Sequence, residues 1–390
     1  MLYFIKLIYI MINENIIDKY KKIYALPELE YEERVSDSFF KLCEKKHYFV
    51  IISVYNLKKE ILLIRDFNKS IGWELPGGYV RDDESLEQTI NRVAYDETGL
   101  DIDELLPVAI IRNIFKYSNK TITHSGIAFM ALSRGDVKLY PKNIQTYFTI
   151  TIPQKVAYQN DKIISIVKQK LNAKRCTPPF EEIDSLKNKK FSIIYFLHKY
   201  IIKHIGNLSS SKIKGAIFSL VEGRPKTILD ASCGESSVIN ELYNKYKPAI
   251  CVGNDISWKA ITLMKNKNPA VLFTNHNVLD LPYEMKFDLV IFKNTLHHIE
   301  KRRQKDFLEN LQKIARQLIV VDIDDPQNST LRSKLWNDYY VYLLGDQGDS
   351  FLTFDQFKKM LYFDNDSNRS KIGIINTIKG RYFYATINNH

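Results

Sequence analysis

The sequence predicts two folded units in succession, a mixed α+β unit followed by an α/β unit with a parallel sheet. Three observations carry that expectation. Before residue 153, β-rich runs with hairpin spacing surround one amphipathic helix. From about 226 to 323, strands alternate with helices of 10–15 residues, the rhythm of βαβ units. Between them, residues 176–190 (CTPPFEEIDSLKNKK) join a Pro pair to a charge run and read as a linker. At ~100–200 residues per domain, 390 residues give room for two or three domains. The expected division is an N-terminal extension over 1–45, a first domain over 46–175, the linker over 176–190 and a second domain over 191–390.

In the first half, residues 48–56 (YFVIISVYN) and 60–65 (EILLIR) are β-rich around a short Asn-Leu-Lys-Lys turn, a hairpin signal. A helix is expected at about 84–97, ended by Gly99. Further strands are expected near 107–117, 122–132 and 146–152. Around the helix, residues 73–100 read WELPGGYVRDDESLEQTINRVAYDETGL. Gly77 and Gly78 permit the backbone turn before the helix. At 100° per residue, Leu86, Ile90, Val93 and Ala94 share one arc and form the core face. Arg92 and Asp96 are neighbours at i, i+4. Glu97 continues the apolar side, where a carboxylate must be paired or bind a cation. Asp96 and Glu97 together offer hard oxygen ligands suited to Mg²⁺.

This stretch resembles the Nudix box, G-x5-E-x7-R-E-U-x-E-E-x-G-U, with U a bulky aliphatic residue. Gly78, Glu84, Arg92, Asp96, Glu97, Gly99 and Leu100 fall in register, and the Trp73–Gly78 lead-in is similar too. The resemblance covers about 46–153. It implies an α/β/α sandwich, with Gly78, Glu84, Arg92 and Gly99 structural and Asp96 and Glu97 as metal ligands. The implied chemistry is metal-assisted attack of water on a nucleoside diphosphate linked to another group. Two departures matter: Val93 replaces the first Glu after the Arg, and Ala94 is a small version of the aliphatic position. A further acid often present downstream in the family is missing from residues 143–148 (NIQTYF). Whether this half hydrolyses its ligand, or only binds and senses it, stays open at the level of sequence.

In the second half, helices near 191–222 lead into strands expected at 226–230, 249–255, 270–275, 287–292 and 317–323. Helices are expected near 236–246, 257–267 and 300–315, and 371–376 with 381–387 form a closing antiparallel pair. Residues 228–237 read ILDASCGESS, a strand ending at Asp230 followed by a turn at Gly234 that opens a helix. Strand two ends at Asp255, NVLDLP (277–282) follows strand three, and strand four reads FDLVIFKNTLHHI. In this order the features resemble class I S-adenosylmethionine-dependent methyltransferases over roughly 190–390, implying a Rossmann-like, seven-stranded fold. The usual D-x-G-x-G-x-G loop is weakened by Ser232 and Ser236, while Gly234 remains. A dinucleotide needs glycines for close approach to its pyrophosphate. S-adenosylmethionine has no pyrophosphate and tolerates serine there.

The resemblance implies cofactor contacts from Asp230, Ser232, Gly234, Asp255, Val278, Asp280 and Lys293. Asp255 would accept both ribose hydroxyls, Asp280 would meet the adenine amino group, and Asp230 would lie near the methionine part. Lys293-Asn294-Thr295-Leu296 stands where nucleic-acid amine methyltransferases carry Asn-Pro-Pro-Tyr, which argues against that class. His297 and His298 are candidates for a general base toward a hydroxyl or amine; they equally suit packing or capping of the next helix. The Tyr-rich stretch Trp336–Phe351 is a candidate for the acceptor pocket.

Composition bounds the rest. With 45% hydrophobic and 26% charged residues the chain is globular, and with 15 Gly and 12 Pro it is not collagen-like or low-complexity. Cys43, Cys176, Cys233 and Cys251 show neither a CxxC pair nor zinc spacing, so a reducing compartment is expected. The apolar run at 2–12 is interrupted by Lys6 and falls short of the ~20 residues a spanning helix needs, so the expectation is a cytoplasmic protein without membrane attachment. The net charge is 56 − 45 = +11, and residues 155–204 supply 11 − 4 = +7 of it. That basic stretch allows RNA as a partner but lacks interleaved aromatics, so a solvated linker is favoured. The leading expectation is a methyltransferase for a small-molecule acceptor, fused to a Nudix domain that binds or slowly hydrolyses a nucleoside diphosphate-linked compound. The alternatives are a methyltransferase regulated by a non-catalytic Nudix sensor, and an RNA-processing protein whose Nudix half is directed at capped ends.

Overall fold

The computed structural model describes residues 15–44, 46–66, 72–81, 84–134, 144–151, 153, 156–157, 160–173, 207–235, 238–344, 348–361 and 370–389. The chain divides into two compact units, residues 1–179 and 180–390. The apolar run at 2–12, the linker at 176–190, the helical stretch before 207, Cys176, Ser236 and the basic stretch from 174 to 204 lie outside the described residues. Among the described residues no helix is long and apolar enough to cross a membrane.

The first unit is a sheet flanked by helices. Its strands are β1 (Glu28–Arg34), β2 (Tyr48–Tyr55), β3 (Ile61–Asp66), β4 (Gly77–Tyr79), β5 (Asp101–Tyr117), β6 (Lys120–Arg134) and β7 (Ile144–Thr149). Their order is β1-β5-β6-β2-β3-β7, with β4 also paired to β2. Helices are α1 (15–24), α2 (Asp37–Cys43), α3 (Leu86–Thr98) and α4 (Asn160–Ala173). The apolar alternation of β2, β5 and β6 puts Phe49, Ala109, Ile111, Ala128 and Met130 against Ile163, Ile164 and Val167 of α4, which builds the core on that side.

Two expectations are corrected here. Residues 1–45 are not merely an extension, because β1 pairs in parallel with β5 from Glu28↔Ile110 to Arg34↔Lys116. This edge strand carries charges that meet Lys21, Arg112 and Lys116, a polar pattern that hides its membership of the sheet. The strand expected at 107–117 starts at Asp101 and runs through Pro107, with register irregularities at 103/106 and 107/109. A bulge is where a strand tolerates proline, since the ladder there does not need its missing N–H.

The second unit has β8 (Thr227–Asp230), β9 (Ile250–Asn254), β10 (Leu272–Thr274), β11 (Phe287–Lys293), β12 (Ala315–Ile323), β13 (Ser370–Thr377) and β14 (Gly380–Asn388). Helices are α5 (Asn207–Leu220), α6 (Val238–Tyr246), α7 (Trp258–Lys267), α8 (Lys301–Lys313), α9 (Leu331–Leu344) and α10 (Phe354–Leu361). The sheet order is β10-β9-β8-β11-β12-β14-β13. The first five strands are parallel, and β14 enters antiparallel between β12 and β13. This is the expected seven-stranded Rossmann-like sheet with its closing antiparallel pair. Strand order reverses beside β8, at the carboxyl ends of β8 and β11, the place where ligands bind in such sheets. One face is packed by Ile228, Val238, Ile239, Leu242, Ile261, Met264, Leu289 and Ile319. The Tyr-rich stretch contributes α9, but the side chains from 339 to 347 lie outside the described residues.

Candidate functional site

In the first unit, Ser85 caps α3 and exchanges hydrogen bonds with Gln88, a full capping box. Gly99 ends the helix at φ 67°, the left-handed region that admits glycine without strain. The buried face is Thr89, Ile90, Val93, Ala94 and Thr98, with Leu86 half-buried at the start. Arg92 does not pair with Asp96 as spacing alone suggests. Its Nε and Nη2 donate to the two oxygens of Glu84 at 2.6 and 2.9 Å, and Nη2 also donates to the Tyr79 carbonyl at 3.0 Å. This fork holds the Glu84 carboxyl down to about 2. It ties the loop before the helix to the helix itself and to β4.

A cleft of about 610 Å³ lies over this assembly, lined by Lys46, Gly77–Arg81, Arg92, Val93, Asp96 and Glu97. Asp96 is exposed, and Glu97 accepts a hydrogen bond from the Gly77 N–H at 3.0 Å. Val93 is 2% exposed and packs on Gly78 so closely that a Cβ there would come within 2.8 Å of it. No group of three or more His, Cys, Asp or Glu that could hold a metal is found among the described residues. The two carboxylates fit Mg²⁺ held partly by a substrate's own phosphates, the usual manner for this ion, and not an all-protein cage. Lys46, Arg81 and Arg92 line the same cleft and supply positive charge for a phosphate.

Behind Tyr79 lies a buried contact that sequence reasoning missed. The Tyr79 hydroxyl meets Nδ1 of the fully buried His124 at 2.8 Å, and His124 Nε2 meets the Cys43 carbonyl at 3.0 Å. A carbonyl only accepts, so Nε2 carries the proton and Nδ1 accepts from Tyr79. Burial holds His124 below the ordinary imidazole value, with His47 and Lys46 adding to that and the Cys43 hydrogen bond opposing it.

In the second unit, the carboxyl ends of the parallel strands bring Asp230, Ser232, Gly234, Asp255 and Lys293 together. Gly234, at φ 54°, turns the loop after β8 and donates to Asp255 Oδ2 at 2.7 Å. Asp255 Oδ1 accepts from the Ser257 N–H at 2.9 Å, so one carboxylate braces both turns. A carboxylate has about four lone-pair sites, so each oxygen keeps one for a ligand hydroxyl, as a ribose requires. Asp230 is fully buried, and neither of its side-chain oxygens has a hydrogen-bond partner. Burial pushes its carboxyl up while Lys293, 3.9 Å away, pulls it down. A buried acceptor without a partner is costly unless a ligand or cation serves it. This donor set fits the cationic methionine end and the ribose of S-adenosylmethionine.

The other expected residues lie along the same edge. Val278 and Asp280 form a short 3₁₀ turn after β10, capped by Asn277. Asp280 is exposed. His297 and His298 follow β11, with rings 4.3 Å apart. His298 is exposed, whereas His297 is 9% exposed. His297 Nδ1 lies 2.7 Å from Oδ1 of buried Asp322, and its N–H donates to Oδ2 at 3.1 Å. Phe351 stacks on the ring at 5.0 Å and 8°. Asp322, at the carboxyl end of β12, was missed in the sequence. Its one signal was an acid at the end of the strand LIVVDI.

Comparison with known proteins finds a match in each unit. The NUDIX domain family matches residues 45–150. A family described as a methyltransferase domain, Methyltransf_25, matches residues 228–335. Among solved structures, the plantazolicin methyltransferase BpumL in complex with SAH is 15% identical, with a TM-score of 0.39 over 50% of this chain and 90% of that one. Magnesium protoporphyrin IX methyltransferase (ChlM) from Synechocystis PCC 6803 with bound SAH is 20% identical, with a TM-score of 0.36 over 50% of this chain and 88% of that one. The chain thus joins a Nudix domain in its first half to a methyltransferase domain in its second.

Proposed function

We propose that the second half transfers a methyl group from S-adenosylmethionine to a small molecule whose accepting atom carries a removable proton. The observation that carries this reading is the Asp255 carboxylate, which braces Gly234 and Ser257 at the switch point of the sheet beside the unpartnered Asp230. The cofactor, when bound, supplies an activated methyl on a sulfonium, so catalysis is largely positioning. Asp230 and Lys293 flank its amino-acid end, Ser232 and Gly234 form the loop beneath it, and Asp255, Val278 and Asp280 receive the adenosine. His297 is the general base. The Asp322 carboxylate accepts from Nδ1–H, which leaves the lone pair on Nε2 to take the acceptor's proton. Asp322 then faces the imidazolium that forms, and Phe351 keeps the ring plane fixed. His298 is the lesser candidate, because it is exposed.

The first half binds a nucleoside diphosphate-linked compound with Mg²⁺ on Asp96 and Glu97 and turns it over slowly. The buried Val93 supports the slow turnover, since the family's carboxylate is absent where it stands. Calorimetry of the whole chain with S-adenosylmethionine, without metal, tests the first part, and failure to bind would overturn it. Incubation with a metabolite extract, followed by mass analysis of methylated products, identifies the acceptor. A product methylated only at tertiary amines or thioethers would contradict the general-base reading.

A further inference from the structure

The buried face of α8 is Gln304, Phe307, Leu308 and Leu311. Spacing of i, i+3, i+4 and i+7 calls for an apolar residue at each place, and three of the four comply. Gln304 is fully buried, and its Oε1 has no hydrogen-bond partner. A leucine or methionine would fill the space without that cost. A polar residue kept against its local pattern is expected where function demands it.

The amide nitrogen shows what the residue does. Nε2 donates to the carbonyls of Leu296, Ile299 and Ser350 at 3.0, 2.9 and 2.8 Å. Carbonyls only accept, so the atom facing all three is the nitrogen, and its two hydrogens are shared among them. Leu296 and Ile299 bracket the turn that carries His297 and His298. Ser350 lies between α9 and α10, and its N–H donates to the His297 carbonyl at 3.0 Å. The next residue, Phe351, is the ring stacked on His297. Beyond it, the Leu352 carbonyl accepts from the Asp325 N–H at 3.0 Å. The residues on both sides of Phe351 are thus tied, the first by a side chain that substitution can remove.

We propose that Gln304 is a positioning residue for methyl transfer. By tying the His297 turn to the segment that carries Phe351, it fixes the plane of the His297 ring and the line along which Nε2 meets the acceptor. This rests on the general-base reading of His297 above, and Gln304 acts through that residue. The hydrogen bond from Nδ1 to Asp322 fixes one edge of the ring and not its plane. The stacked Phe351 supplies the plane, and Gln304 holds Phe351 in place. A base must lie within hydrogen-bond reach of the proton it takes, and a misplacement of about 1 Å costs up to about 10²-fold in rate.

The test begins with proton NMR of the full chain carrying isotope-labelled histidine, with the His297 signal assigned by its loss in His297→Gln. Wild type is expected to show that signal shifted upfield by the stacked ring. Gln304→Met keeps the volume and removes the donor, and is expected to lose most of the shift. Phe351→Leu is expected to abolish it and Phe351→Tyr to keep it. Methyl incorporation into a metabolite extract, from methyl-labelled S-adenosylmethionine, should fall about 10- to 100-fold in Gln304→Met and in Phe351→Leu, and by scarcely more in the double variant. Phe351→Tyr should stay near wild type. Cofactor affinity by calorimetry should remain within about twofold throughout, the split that a merely structural loss would not give. Circular dichroism melts establish that each variant is folded. If Gln304→Met does not fold, Gln304→Glu takes its place, since a buried carboxyl that holds its proton donates one hydrogen where the amide donates two. It is expected to give a smaller loss in the same direction. A wild-type His297 signal without the shift overturns the proposal, as does a folded Gln304 variant with unchanged signal or unchanged incorporation. If His297→Gln itself incorporates methyl at the wild-type rate, the general-base reading falls instead.

Discussion

Asp255 Oδ2 and the Gly234 N–H, on the ends of neighbouring parallel strands, are joined by a hydrogen bond of 2.7 Å. The other oxygen of the same carboxylate holds Ser257, the cap of α7. One side chain thereby fixes both the loop under a ligand and the start of the helix beside it. This braces the turn at Gly234 in a loop that carries Ser232 at a glycine position.

Asp255→Ala removes both braces and the expected ribose contacts. Charge-assisted hydrogen bonds contribute ~1.5–3 kcal/mol each, so affinity for S-adenosylmethionine should fall about tenfold or more. Asp255→Asn, which keeps one acceptor, should fall between the two. Titration calorimetry on folded protein checks this, and equal affinity for wild type and Asp255→Ala would remove Asp255 from the site.

Asp322 and His297 should behave as a pair in the chemical step. His297→Gln and Asp322→Asn should each lower the methyl-transfer rate by about 10²–10⁴-fold, and the double variant by scarcely more than the worse single one. Cofactor affinity should stay within about twofold in each. Single-turnover measurements with the acceptor found in the extract decide the matter. A double variant whose losses multiply would mean that the two residues do not act as one unit.

Two groups in the first unit give separate acid windows. The folded-state value of His124 lies below its ordinary 6.5, so the unfolded chain binds the proton more readily. The stability it contributes is present above about 6.5 and is lost as pH falls below that value. Glu84, ordinarily near 4.5, is held at about 2 by Arg92, so its contribution is present above 4.5 and is lost between 4.5 and about 2. His124→Asn should flatten the upper arm of melting temperature against pH, and Glu84→Gln the lower arm. Arg92→Lys should act like Glu84→Gln, because an ammonium cannot reproduce the fork on two oxygens. Melting curves of the whole chain from pH 8 to pH 2 test all three.

What could be read from the sequence was local. The register from Gly78 to Leu100 follows from spacing along one helix and its caps, and the parallel sheet follows from the alternation of strands and helices. The relationships that were not legible join residues distant in sequence. His297 meets Asp322 across 25 residues, and Ser232 meets Lys293 across 61, because neighbouring parallel strands place their carboxyl ends side by side. Nothing in either local segment encodes that meeting. The strand β1 was hidden for another reason. Glu28, Glu30 and Glu32 face outward on an edge strand, so the segment has no apolar run to announce it. The same strand order takes Glu30–Glu33 away from the cleft, since β5 and β6 stand between β1 and β2.

That placement sharpens the last prediction, which concerns the Nudix cleft. An acid missing from position 93 could have been replaced by the Glu30–Glu33 cluster, but those residues are not among the cleft lining. Asp96 and Glu97 remain, enough for one Mg²⁺ shared with substrate phosphates and too few for a second metal or a base-activated water. Nucleotide sugars, dinucleotides or capped RNA should therefore bind with Mg²⁺ and turn over slowly. Asp96→Asn with Glu97→Gln should abolish the metal-dependent part of binding, although Glu97→Gln also weakens the bond to Gly77. Val93→Glu should raise hydrolysis at a cost in stability. Val93 is buried against Gly78, so the new carboxylate must push toward the cleft or stay desolvated, at a cost of roughly 1–3 kcal/mol. Released phosphate across that panel, with melting temperature measured alongside, separates the outcomes. Fast turnover by the wild type on any compound would mean that Val93 is no handicap. A Val93→Glu variant that is folded and still slow would mean that the cleft lacks more than one carboxylate.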